Sequence, residues 1–142
     1  MSEQNKELVR RAASAMFEEG DLDAADEFFH PEYLNHEAAD GRPPGPDGAK
    51  ETAAWLRETF GNPSYEEQDV IAEGDRVVVR VMFKGTHTGD LMGIPATGKS
   101  FAVQHIHEYR IEDGKIAEHW ACRDDVGLMR QIGVAPDRQM AS

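Results

Sequence analysis

A single cysteine, Cys122, is all the sequence holds, which excludes an intrachain disulfide framework and suits a reducing compartment. Basic residues are scarce: 15 Lys and Arg stand against 27 Asp and Glu, a net charge of −12. That balance repels nucleic acid and anionic membranes alike, so neither is expected as a partner. No apolar run approaches the ~18 residues of a membrane span, and the opening MSEQNKELVRRAASAMF lacks an uninterrupted apolar core of signal-peptide length. A cytoplasmic protein is the expectation. Repeats, linkers and low-complexity blocks are absent too, and 142 residues suffice for a single domain, 1–142, with a core and a small cavity.

What is present falls into two halves of different period. Residues 5–60 read as helical. Leu8, Val9, Ala12, Ala13, Met16 and Phe17 recur at three- and four-residue steps before Gly20. Asp21 is placed to cap a short helix burying Leu22, Ala25, Phe28 and Phe29, which Pro31 ends. The Pro- and Gly-dense segment from Glu37 to Gly48 is a loop, and Ala49, Ala53, Leu56 and Phe60 then share a helical face. Residues 64–123 read as sheet: a turn at Gly74-Asp75, an apolar strand from Val77 to Phe83 fit for a central position, and two strands joined at Asp113-Gly114. A short helix over 125–132 and a flexible tail over 134–142 complete the chain. Helices followed by antiparallel strands predict an α+β fold, helices packed on one face of a curved sheet, with room for an apolar pocket between the layers.

Strand alternation sorts the chemical candidates. On 100–111, Phe101, Val103, His105, His107, Tyr109 and Ile111 share one side. The H-x-H pair suits zinc or iron if His87 or Asp124 supplies a third ligand, but no further spacing signature supports a metal, and none is predicted. The same histidines suit hydrogen bonding to substrate, or plain structural roles. From Ile116 onward, Ile116, Glu118, Trp120, Cys122 and Asp124 share a face. Strict alternation therefore aims Asp124 inward with Trp120 and turns Asp125 outward as cap of the last helix. Tyr33, Asn35 and His36 stand before the Pro-rich loop, at a pocket mouth or as partners of loop backbone. Arg80, set between valines, needs a partner, either a substrate carbonyl or an acid. Cys122 has no base partner in the pattern and is not expected to be a nucleophile.

Three blocks in order, YLNHEAADGRPPGPDGAK, IAEGDRVVVRVMFKGTHTGDLMGIPATGKSF and YRIEDGKIAEHWACRDDVGLMRQIG, resemble the SnoaL-like polyketide cyclases, or ester cyclases, of the nuclear transport factor 2-like superfamily. The resemblance spans Glu32 to Gly133. It implies a cone-shaped barrel of helices on a strongly bent mixed, largely antiparallel sheet, and intramolecular aldol ring closure of a polyketide ester without metal or cofactor. It also implies an acid/base carboxylate at Asp124, Asn35 and His36 at the pocket, and His87 in the GTHTG turn. His105 and His107 stand where many relatives carry apolar or varied residues. The expected site is thus Asp124, His105 and His107 for catalysis, with Tyr33, Asn35, His36, Arg80, His87 and Trp120 around the substrate. That substrate is a small hydrophobic carbonyl compound. A ketosteroid-isomerase-like proton shuttle using Tyr109, an epoxide hydrolase using Arg80, and a non-catalytic ligand-binding domain are the alternatives. The outer face of 77–83 is expected to pair two copies as a homodimer.

Overall fold

The computed structural model describes residues 2–38 and 40–134. Helix α1 (Ser2–Ala12) buries Val9 and Ala12 and runs on as a π turn, Ala13–Glu18, that buries Met16. A 3₁₀ turn over Leu22–Ala24 leads into the single turn α2 (Ala25–Phe28). The chain then extends as β1 (Phe29–Asn35), a strand inside the part that local periodicity assigns to helix. Pro31 blocks helix and is tolerated at a sheet edge, where its missing N–H leaves no ladder bond unmade. Helix α3 (Pro46–Thr59) follows, burying Ala49, Ala53 and Leu56. It sits close over β1: Gly45, just before it, donates its N–H to the Tyr33 carbonyl at 2.7 Å, and a Cβ there would collide with the Pro31 carbonyl.

Four long strands come next: β2 (Phe60–Glu73), β3 (Arg76–His87), β4 (Ser100–Glu112) and β5 (Lys115–Arg123), before the capping helix α4 (Asp125–Gln131). The sheet order is β1-β5-β4-β3-β2. β1 lies parallel to β5 and every other pair is antiparallel. This is the mixed, largely antiparallel α+β sheet expected. The Asp113-Gly114 turn has φ of 53° and 74° at its two residues, the positive angles of a type I′ hairpin. β3 is central, as its apolar run required, with Val77, Val79, Val81 and Phe83 buried on the helix side.

Among the described residues the helices cover the sheet face that carries Val77, Val79, Val81 and Phe83. Two apolar clusters fill the space between: one built on Met16, Phe28, Phe29, Val79 and Ile116, the other on Leu56, Phe60, Phe83, Phe101 and Ile132. Phe17 and Tyr65 pack against both. The seam these two rings mark is where the cavity lies. Among the described residues no helix is long and apolar enough to cross a membrane. Residues 135–142 of the expected tail lie outside the described residues.

Candidate active site

A bulge decides which side chains of β5 enter the seam. Ile116 pairs with Ile111, but Arg110 pairs with Glu118, so Ala117 is an extra residue in the ladder. Beyond it the alternation is reversed from the strict count. His119 turns inward opposite Tyr109 and is buried, while Glu118, Trp120 and Cys122 face outward. Parallel pairing of β1 brings Asn35 level with His119. β4 alternates as predicted, with His105, His107 and Tyr109 inward.

The inner chamber, about 70 Å³, is lined by Phe17, Tyr33, Asn35, Tyr65, His107, Tyr109, His119 and Arg123 among others. It abuts a wider lobe of about 340 Å³ that shares Tyr65, His107 and Tyr109, a volume at the lower edge of small-molecule sites (about 300–1,000 Å³). All 3 tyrosines of the chain line the chamber. Burial pushes the ionisation of all three phenols well above the ordinary tyrosine range, so each stays a neutral O–H donor. Among the described residues none of the three hydroxyls is sealed from solvent without a partner.

The histidines form a row. Asn35 Oδ1 lies 2.8 Å from His119 Nδ1, His119 Nε2 lies 2.8 Å from His107 Nδ1, and His107 Nε2 lies 3.3 Å from His105 Nδ1. Burial, reinforced by the Arg123 guanidinium, lowers His105 to about 4 and His119 to about 3. His107 falls well below the usual imidazole value through burial and its two histidine neighbours. All three are neutral at pH 7. Arg123 is held over the chamber by Glu37 at 3.3 Å.

No carboxylate lines the inner chamber among its described residues. The two on the outer lobe are engaged: Glu18 accepts the Tyr65 N–H at 2.8 Å, and Glu67 holds Arg10 through two bonds of 2.9 and 3.1 Å. The chamber therefore offers neutral imidazoles joined to one another, phenols and a guanidinium as donors, and apolar walls against water. That combination suits abstraction of a carbon-bound proton with the resulting oxyanion held by donors.

Of the residues expected at the site, Tyr33, Asn35 and His107 line the chamber, and His105 joins it through the row. The others are elsewhere. Asp124 is exposed and is itself the cap of α4, its Oδ1 accepting the Gly127 N–H at 2.8 Å; Asp125 begins the helix. The cap expected at Asp125 is made by Asp124, because the bulge had already shifted the face count. A Cβ at Gly127 would strike the Asp124 carboxylate, so the glycine permits the cap. Trp120 lies on the outer face, stacked 4.8 Å from His36, whose Nε2 meets Glu118 at 2.8 Å. Arg80 is exposed on the outer face of β3 between inward valines. His87 is buried at the far end of β3, where Nδ1 accepts the Thr97 N–H at 3.2 Å, and it does not line the chamber. Sequence reasoning left out His119, Tyr65 and Arg123, and named Tyr109 only for a rival reaction. Ladder pairing with Tyr109 would have found His119 only if the bulge were known. A group of His30, Glu112 and Asp113 has metal-like proximity. However, His30 Nδ1 accepts the Glu32 N–H at 3.0 Å, which leaves its proton on the Nε2 that faces the acids, the wrong tautomer for a ligand there.

Comparison with known proteins gives one consistent answer. The profile described as SnoaL-like polyketide cyclase matches residues 7–132. Aklanonic acid methyl ester cyclase DnrD of Streptomyces peucetius is 38% identical over 130 residues, covering 89% of this chain and 89% of the relative. Nogalonic acid methyl ester cyclase of Streptomyces nogalater is 36% identical over 119 residues, covering 82% and 89%. The structure of TsrD from Streptomyces laurentii superposes with a TM-score of 0.84 at 33% identity, covering 93% of this chain and 96% of that one.

Proposed function

The chain belongs to the SnoaL-like polyketide cyclase family, and from that premise we propose that it closes a ring in a polyketide methyl ester by intramolecular aldol addition, with histidine as the base. The cyclases it is most usefully compared with are named for aklanonic and nogalonic acid methyl esters, and the carbon beside an ester carbonyl is a carbon acid that a positioned base can deprotonate when donors hold the enolate oxygen. His105 Nε2 takes that proton. The enolate oxygen is held by phenol O–H groups of Tyr65 and Tyr109, with Arg123 adding positive charge. The enolate carbon then attacks the ketone: one C–C bond forms as the C=O π bond opens, and the alkoxide recovers a proton from the imidazolium. No atom is gained or lost.

One observation carries this reading: the chamber holds histidines and phenols, while Asp124 lies outside its lining with one carboxylate oxygen on the Gly127 N–H. A homodimer is part of this proposal, supported by half-buried or exposed apolar side chains on the outer face, Val78, Met82 and Ile106; a single cytoplasmic domain is proposed with it, on the length of the chain and its lone cysteine. The test is conversion of aklanonic acid methyl ester followed by chromatography. His105→Gln should lower turnover by about 10²–10⁴-fold, while Asp124→Asn retains it. Full turnover in His105→Gln, or its loss in Asp124→Asn with the fold intact, overturns the assignment.

A further inference from the structure

The bulge that turns His119 into the seam turns Arg123 in as well, paired across the ladder with His105. Among the described residues Arg123 is the only charged side chain that lines the inner chamber, and it does not line the wider lobe. Most other polar atoms of the chamber are already engaged. The ring nitrogens of His107 and His119 are joined to their neighbours, and Asn35 Oδ1 takes the Glu37 N–H at 3.0 Å and faces His119 Nδ1 at 2.8 Å. Thr52 Oγ1 donates to the Gly48 carbonyl and accepts from Arg42. What remains is a set of donors: the O–H groups of Tyr33, Tyr65 and Tyr109, the Asn35 amide N–H and the guanidinium. Tyr33 is only 5% exposed, yet among the described residues its hydroxyl has no partner and is not sealed from solvent. It opens on the chamber.

The complement of such a site is a group made of acceptors. The chamber, about 70 Å³, holds roughly two waters' worth of liquid at about 30 Å³ each, the size of a carboxyl or small ester head, so any rings must stay in the lobe of about 340 Å³ beside it. Charge then separates the two heads. Arg123 Nη1 donates to Glu37 Oε1 at 3.3 Å, and Glu37 stands outside the lining. The ion pair has no net charge, the phenols and imidazoles around it are neutral, and Asp124, the next residue, adds a negative charge outside the lining. A carboxylate entering here would give up its water and meet no uncompensated cation, whereas an ester carbonyl gives up little and gains the same donors. We infer that the inner chamber is an ester-head subsite in which Tyr33 and Arg123 donate to the carbonyl oxygen, and that Glu37 is a specificity-determining residue which, by cancelling the charge of Arg123, admits the methyl ester and turns away the free acid. This rests on the reading of the chain as a methyl ester cyclase and holds whichever group takes the proton. The enolate is not refused by the same rule, because the proton it gives up stays in the protein and the total charge of the site does not change.

Equilibrium dialysis of the full chain at pH 7 tests this with two probes that carry no ketone and so cannot cyclise, methyl 2-naphthylacetate and the ionised 2-naphthylacetate. The wild-type chain should bind the ester more tightly than the acid. Glu37→Gln should strengthen binding of the acid by about tenfold, the effect of one charge a few ångströms away in a partly solvated site, and leave the ester nearly unchanged. Glu37→Asp keeps the charge and should keep the preference for the ester. So should Glu118→Gln, which removes a charge from the outer face. Arg123→Gln should weaken both probes, the acid more, since Glu37 is then left alone. Acid bound as tightly as ester by the wild-type chain, an unchanged ratio in Glu37→Gln, the same change in Glu118→Gln, or no binding of the ester at all overturns the inference. The wild-type comparison stands even where a substitution prevents folding. None of these readouts involves turnover, so a chain that binds the probes as expected but leaves aklanonic acid methyl ester unconverted sinks the cyclase reading and not the subsite.

Discussion

Two hydrogen-bonded rows of side chains run across the same three strands, one on each face of the sheet, and they begin one residue apart. Inside, a half-buried Asn35 leads to His119, His107 and His105, which are buried, neutral and joined by shared protons. Outside, His36 meets Glu118 at 2.8 Å, Glu118 meets Arg110 at 2.6 Å, and Arg110 meets Glu112 at 2.8 Å. Hydrogen bonds from His36 and Arg110 lower Glu118, and one from Arg110 lowers Glu112. The inner row takes imidazole below its usual range, and the outer row takes carboxylate below its own. The difference is water. Where it is excluded, charge is expelled and only proton-sharing remains; where it is present, opposite charges meet and gain little. Catalytic potential follows the first arrangement, because a dry neutral base is free to react.

The contrast breaks most visibly through turnover. Tyr109→Phe removes one hydroxyl from the chamber and should lower kcat by about 10²–10³-fold, the loss of one oxyanion donor, with KM little changed. His36→Gln, on the other face, should leave kcat where it was; equal losses in steady-state kinetics would erase the distinction. A middle-sized effect lies in stability against pH. The inner histidines titrate lower in the folded chain than when unfolded, so the unfolded state binds more protons in the interval between. Their stabilising share is complete above about pH 6.5 and is lost as pH falls through the folded values of about 4 for His105 and about 3 for His119. Urea unfolding at pH 7, 6 and 5 should weaken by up to about 1.4 kcal/mol per pH unit per histidine, and His105→Gln should flatten the slope. The outer carboxylates contribute their pH dependence only lower, around and below their unfolded value of about 4.3. The smallest effect belongs to Glu118→Gln, expected to reduce stability by no more than about 1 kcal/mol, with the difference fading at 1 M salt. A larger, salt-insensitive loss would mean that the outer row is drier than its exposure suggests.

Much of this arrangement is legible along the chain. Period-two alternation placed His105, His107 and Tyr109 on one side of β4, the Asp113-Gly114 pair announced its hairpin, and the valines of β3 announced a central strand. The three blocks of resemblance gave the family, and the fold with it. Two things were hidden. β1 follows so closely on a helical turn that Phe28 and Phe29 read as one buried helical face, and only pairing with β5, 80-odd residues away in sequence, makes a strand of it. The bulge at Ala117 leaves no mark in residue type, and without it the assignments on β5 beyond Ala117 fall on the wrong face. Trp120 was aimed inward by that slip, and His119 was lost to it.

The bulge also has a meaning for the way such a chain can vary. Ile111 and Ile116 keep the hairpin end of the ladder in phase, Tyr109 and His119 keep the chamber end in phase, and Ala117 is the slack between them. A chain lacking Ala117 would still pair the same residues on either side. The turn is thus insulated from the chemistry: lineages are free to remodel Asp113-Gly114 and its surroundings, with a one-residue change in length absorbed at the joint before it reaches the histidines.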